Sequence, residues 1–197
     1  MTAYLIGDIE ITDPEGFGVY IEGVGATLDT FGARVVARAG RTEAPEGTSP
    51  NGVLVVVAFE SLEKLRAWYQ SSGYAELLKI RLAATRSHIF AVEGTDQAPT
   101  GGAAGYVIAQ ITVTDATRYE DYKPGAGAAM TAFGGRFLAR GGQTEAVEGG
   151  PLGERVIVIE FDSFERAAAW YGSPEYAAPL AIRKRAANAT VWITEGL

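Results

Sequence analysis

The chain repeats itself. Shifting it by 102 positions lays Tyr4–Gly94 on Tyr106–Gly196 without a gap, with about 36 identities in 91 pairs, far above chance. The matches cluster: Thr12-Asp13 falls on Thr114-Asp115, Phe31-Gly32 on Phe133-Gly134, Trp68-Tyr69 on Trp170-Tyr171 and Ile80-Arg81 on Ile182-Arg183. A repeat this long is a folded module rather than a short solenoid unit. The chain therefore divides into a first unit (1–94), a small, polar, Gly-rich linker (95–105) and a second unit (106–197). As a coil, such a linker spans roughly 18 Å, enough to join adjacent units.

Each unit reads as strand, helix, strand, strand, helix, strand. Residues 4–12 alternate with period two, placing Leu5, Gly7 and Ile9 on one face and Tyr4, Ile6, Asp8 and Glu10 on the other. Asp13-Pro14 starts a helix, with a carboxylate N-cap and proline at the first helical position. Phe17, Tyr20, Ile21, Val24, Leu28 and Phe31 follow at helical spacing, and Gly32 ends the run. Residues 34–39 and 53–59 read as strands, 42–52 as a loop, 62–70 as a helix capped by Ser61, and 88–93 as the last strand. Ser173-Pro174-Glu175 opens a further short helix in the second unit. This order is the ferredoxin-like βαββαβ unit, an α+β fold with helices on one sheet face. Two fused units would cover each other's open sheet faces, giving a pseudo-dimeric α/β barrel within one chain. Gly23 and Gly25, repeated as Gly125 and Gly127 after Pro124, predict either an interrupted first helix or a close approach to the sheet.

Composition removes several classes. There is no cysteine, so no disulfide scaffold, thiol nucleophile or thiolate metal site. No apolar run reaches the roughly 18–20 residues of a membrane span, and the N-terminus lacks a basic n-region, so a cytoplasmic protein is expected. A net charge of −7 argues against nucleic acid as a partner. One histidine cannot make a two-histidine metal site, and no phosphate loop or Ser-His-Asp spacing is present, so neither metal nor organic cofactor is expected.

The strings Phe133–Gly142, Glu145–Gly149, Phe161–Ser163 and Trp170–Tyr176, with a tyrosine opening strand one and Thr-Asp before helix one, resemble the domain-of-unknown-function family thirteen-thirty. The second unit is the closer match; the first departs at Ala33, Ala39, Ser72 and Gly73. The resemblance covers nearly the whole chain and implies a dimeric α/β-barrel fold. Its superfamily includes cofactor-free monooxygenases, isomerases, cyclases, haem-degrading enzymes and purely associative domains, so it implies a fold more than a reaction.

Candidate chemistry is expected on the sheet faces inside the barrel, where the copies differ. Asp8 stands against Gln110, Ala58 against Glu160, and His88 against Thr190, so the halves present different groups to one cavity. His88 reads as a general base oriented by Asp8, or as a strand-end imidazole. Arg38 and Arg140 read as holders of a substrate anion, or as partners of Glu43 and Glu145. Glu160 reads as a rim carboxylate or a tuned acid. Phe90 and Trp192 read as an aromatic wall or as core, with Gln110, Tyr20 and Tyr122 as further substrate contacts.

Three functions follow. The first is a cofactor-independent isomerase, cyclase or monooxygenase acting on a hydrophobic, aromatic or polyketide-like substrate, a biosynthetic type of reaction. The second is a non-catalytic ligand-binding or association module. The third is a haem-binding protein with His88 as axial ligand. The expected assembly is an intramolecular pseudo-dimer, which leaves room for a further homodimer.

Overall fold

The computed structural model describes residues 1–150 and 153–197. The first half contributes β1 (Ala3–Ile11), α1 (Pro14–Thr30), β2 (Arg34–Arg38), β3 (Thr42–Glu46), β4 (Val53–Phe59), α2 (Leu62–Tyr69), α3 (Ser72–Ala84) and β5 (Thr85–Glu93). The second half repeats the series as β6 (Gly105–Val113), α4 (Ala116–Ala132), β7 (Arg136–Arg140), β8 (Thr144–Glu148), β9 (Arg155–Phe161), α5 (Phe164–Tyr171), α6 (Pro174–Ala186) and β10 (Ala187–Glu195).

Local chemistry sets the helix starts. Asp13 accepts hydrogen bonds from the Glu15 and Gly16 amides at 3.1 and 3.2 Å, and Ser61, Ser71, Ser163 and Ser173 each cap a helix through the amide three residues on. Such a cap contributes about 1 kcal/mol. Both α3 and α6 run 13 residues, so the short helix expected only in the second unit is present and longer in both. Helices α1 and α4 pass Gly23, Gly25 and Pro124 without interruption. Two of the glycines serve helix contact instead: a Cβ on Gly23 would meet the Leu77 side chain at 2.8 Å and one on Gly125 would meet Pro179 at 2.8 Å, while Gly25 and Gly127 face open space.

The two antiparallel sheets have the orders β2-β4-β1-β5-β8 and β3-β10-β6-β9-β7. Each contains one strand from the other half. The segment expected as a loop at 42–52 begins with β3, which leaves its own half and pairs with β10; β8 crosses in return to β5. Thr-Glu-Ala-Pro-Glu has little strand character alone, and Pro45 suits an edge where one amide is not needed. What makes it a strand is a partner edge supplied by the other half.

Three apolar layers result. Between the sheets lie Tyr4, Ile6, Val56, Phe90 and Val92 against Tyr106, Ile108, Val158 and Trp192. Outside each sheet, α1 to α3 cover Leu5, Val57 and Ile89, while α4 to α6 cover Val107, Ile159 and Val191. The two sheets also join at their edges, where Thr95 donates to the Leu138 carbonyl at 2.7 Å and Leu197 to the Val36 carbonyl at 3.1 Å. The linker is tied down: Arg34 bonds the Pro99 carbonyl, Arg136 the Ala98 carbonyl, and Glu160 accepts from the Thr100 amide at 2.9 Å.

Candidate functional site

The centre of the barrel is filled. Phe90 and Tyr106 are fully buried there as core, and Trp192, 4% exposed, belongs to the same core while also lining the space at the barrel end. Space remains at one end of the barrel and in the helix–sheet layers.

At the barrel end, Asp8, His88, Gln110 and Trp192 surround a polar cavity of about 360 Å³ together with Thr48, Ser49, Asn51 and Thr190. Sequence comparison singled out those first four, and β1–β5 pairing sets Asp8 directly across from His88. Their contacts are with a loop. The Asp8 carboxylate accepts from the Asn51 amide at 3.0 Å, the Asn51 side chain at 2.9 Å and the Gly52 amide at 3.0 Å. Trp192 Nε1 donates to the Thr48 carbonyl at 2.8 Å. Both side chains thus pin residues 48–52. His88 is half-buried, packs beside Phe90 with ring centroids 5.5 Å apart, and makes no side-chain hydrogen bond among the described residues.

Glu160 occupies the other end. Expected at a rim, it is 2% exposed and is ion-paired with Arg136, with Tyr106 donating to it at 2.9 Å. Burial and the neighbouring carboxylate push the Tyr106 phenol well above its ordinary pKa. A carboxylate this buried needs such partners, and they supply its ionic and hydrogen-bonding requirements.

Arg38 and Arg140 are not in the lumen. Register shifts between Val35 and Ala37, and between Phe137 and Ala139, mark a bulge in each strand. Val36 and Ala37 consequently both face the inter-sheet core, as do Leu138 and Ala139, and the following arginine turns to the helix side. The pairings considered with Glu43 and Glu145 do not form either: Glu43 bonds Arg41, and Glu145 bonds Arg66 with Nε–Oε2 at 3.1 Å.

On that helix side of the first half is an apolar cavity of about 310 Å³. Gly7, Val35, Val55 and Ile89 form its sheet wall, Phe17, Tyr20 and Val24 its helix wall, and Trp68 and Tyr74 its floor, with Arg38 at the exposed edge. The corresponding space in the second half, lined by Tyr122 and Arg140, is only about 70 Å³. The alignment explains the difference. Gly7 becomes Ala109, Val35 becomes Phe137, Val53 becomes Arg155 and Val55 becomes Ile157, so these four positions, with Ile159 in place of Val57, carry larger side chains in the second copy. The same alignment held this signal, but without the fold nothing said that these four positions share a wall.

Among the described residues, the one buried charge beside the first cavity is committed. Arg81 is 1% exposed, bonds Tyr74 Oη at 3.1 Å and pairs with Glu148, which also accepts from Tyr69. Burial raises the Tyr20 phenol far above its usual pKa, so it stays protonated. Among the described residues no group of three His, Cys, Asp or Glu side chains gathers as a metal site would require. A haem in the apolar cavity could not take His88 as its axial ligand, because His88 faces the polar barrel end while that cavity lies on the opposite face of the same sheet.

Two antiparallel sheets packed face to face, each backed by three helices and each borrowing a strand, define an α/β barrel of the dimeric ferredoxin-like type closed within one chain. The family described as "Domain of unknown function (DUF1330)" matches residues 2–95 and again 104–197. The chain belongs to that family, as a tandem pair. No curated protein matches the sequence. Among solved structures, an anthrone oxidase-like protein is 14% identical with a TM-score of 0.54, covering 100% of this chain and 91% of that one. A monooxygenase candidate from Lactobacillus acidophilus is 9% identical at TM-score 0.54, covering 100% and 98%. A chlorite dismutase from Candidatus Nitrospira defluvii is 9% identical at TM-score 0.56, covering 100% and 90%. At these identities the likeness is one of fold. No helix is long and apolar enough to cross a membrane among the described residues.

Proposed function

We propose that the chain binds a hydrophobic small molecule in the first-half cavity and converts it, without metal or organic cofactor, as an isomerase, cyclase or oxygenase. The observation that carries this reading is the inequality of the two helix–sheet spaces, about 310 Å³ against about 70 Å³ at equivalent positions of one repeat. Smaller side chains at Gly7, Val35, Val53 and Val55, among others, keep one copy open, and its volume lies at the lower end of ordinary ligand sites. Tyr20 and Trp68 present aromatic surface to a planar ligand, and Arg38 stands at the edge to hold a developing oxyanion. Asp8 and His88 serve the opposite sheet face and take no part in this cavity.

The named oxidase-like and monooxygenase relatives make a tricyclic anthrone the rational first probe, with oxygen uptake as the readout. Val35→Phe, which copies the second half, is expected to abolish binding with little change in stability. Arg38→Ala is expected to lower kcat/KM roughly 100-fold while the ligand still enters. Binding that survives Val35→Phe would refute the cavity assignment.

A second reading, binding without conversion, is supported by the cavity wall itself: Arg81 is neutralised and, among the described residues, no free carboxylate or imidazole lines the space. A ligand that binds in a Val35-dependent way and is recovered unchanged would establish it.

A further inference from the structure

The second-half pocket is small, yet its chemistry differs from that of the first. Its lining includes Lys123, Arg140 and Arg155, where the first half has Ile21, Arg38 and Val53. With the buried Arg183 this pocket is lined by four cations, where its twin has two, Arg38 and Arg81. Two of them lack a carboxylate. Lys123 pairs with Glu120 and the deeper Arg183 with Glu46, but Arg140 and Arg155 form no salt bridge among the described residues. Arg155 Nε is buried and has no hydrogen-bond partner among the described residues, and such an orphaned donor costs free energy until something accepts from it.

The placement of Arg155 is built into the backbone. Gly141 has φ +69°, and a Cβ there would lie 2.6 Å from Arg155 Nη2. The first half has Ala39 at this position, held at φ +55° despite its side chain, opposite the much smaller Val53. Glycine and arginine therefore go together in one copy, alanine and valine in the other. The left-handed region disfavours alanine in both, but only the second copy has a guanidinium that alanine would displace. Below the cations the wall is aromatic: Tyr119, whose ring centroid lies 6.0 Å from Arg155 Cζ, with Tyr122 and Trp170.

We propose that this pocket binds a small organic carboxylate, its charge taken by Arg155 and Arg140 and its apolar body laid on Tyr119 and Trp170. A volume of about 70 Å³ suits a carboxylate head with the remainder of the ligand in the pocket opening. The Arg155 guanidinium is a planar fork that matches two carboxylate oxygens, and turning it onto the ligand would also give its unpartnered Nε an acceptor. The proposal concerns the half opposite the apolar cavity and stands independently of the function assigned there.

Calorimetric titration of the full chain with benzoate, and with benzyl alcohol as the neutral analogue, tests it. Benzoate is expected to saturate, to shift the Arg155 Nε–H resonance and to weaken as salt rises. Benzyl alcohol and the Arg155→Val variant should each bind at least 10-fold more weakly. Gly141→Ala, which keeps the arginine but crowds it, should weaken binding by a similar factor, and it covers the case in which Arg155→Val fails to fold. Val35→Phe should leave benzoate affinity unchanged, which separates this site from the first-half cavity. No saturation by about 10 mM benzoate would overturn the proposal. So would affinity unaltered by Arg155→Val or Gly141→Ala, or equalled by benzyl alcohol.

Discussion

Arg81 is buried in the first half of the chain, and the carboxylate that neutralises it, Glu148, belongs to the second half, with Nη1 and Oε2 3.0 Å apart. The repeat returns the exchange: Glu46 of the first half neutralises Arg183 of the second, also at 3.0 Å. Each glutamate is the last residue of a strand that has crossed to the other sheet. The crossing strands therefore deliver charge as well as backbone hydrogen bonds, and neither half is electrostatically complete alone.

Breaking one exchange should be expensive. Glu148→Ala leaves a guanidinium that is 1% exposed without its counter-ion, and about 3–5 kcal/mol of stability should be lost. Chemical denaturation measures this, and a loss below 1 kcal/mol would contradict the role assigned. The same reasoning makes the proposed units 1–94 and 106–197 interdependent: either expressed alone should be unfolded or self-paired by size-exclusion chromatography.

The Glu46 pair also predicts acid sensitivity. Burial opposes ionisation of Glu46, but hydrogen bonds from Arg183 and Tyr171 outweigh it and hold its pKa below the usual 4.5. A depressed carboxylate pKa stabilises the fold fully above the unfolded value, and the contribution is lost as pH falls through the folded value. Stability of the parent protein should thus fall steeply below about pH 4.5, with a shallower slope in Glu46→Gln. Parallel melting curves between pH 3 and 6 make the comparison; equal slopes would remove Glu46 as the cause.

Asp8 and His88 should separate cleanly. Asp8→Ala strips three hydrogen bonds from Asn51 and Gly52 and should cost about 1–3 kcal/mol, with Asp8→Asn recovering part of it. His88→Ala should alter stability by no more than about 0.5 kcal/mol, since the ring is half-buried and unbonded. Urea unfolding of the three variants decides whether Asp8 is the loop clamp described.

The two tryptophans at equivalent positions offer an internal control. Trp68 Nε1 donates to Thr27 Oγ1 at 3.0 Å, whereas Trp170 Nε1 is buried without a partner, Ala129 standing where the threonine would be. Thr27→Ala should lower stability by about 1–3 kcal/mol, and Ala129→Thr should raise it by about 1 kcal/mol. A destabilised Ala129→Thr would show that the hydroxyl does not reach the indole.

Much of this protein is written in local pattern. The 102-residue offset, the Asp-Pro and Ser caps, and the alternation in Tyr4–Ile11 specify two βαββαβ units and the sheet face each residue takes, because caps and periodicity act within a few residues. The alternation also placed Asp8 beside His88, Gln110 and Trp192, since these positions sit on strands of regular register. It misplaced Arg38 and Arg140, because a bulge inverts every later position and has no strong signature in Arg-Val-Val-Ala-Arg. It missed β3 and β8 as strands, since their pairing partners lie in the other half of the chain. It could not show that Gly7, Val35, Val53 and Val55 together keep one cavity open, or that Glu160 would be buried beneath the linker. Those outcomes depend on which side chains meet across strands far apart in sequence, and only the closed pair of sheets decides that.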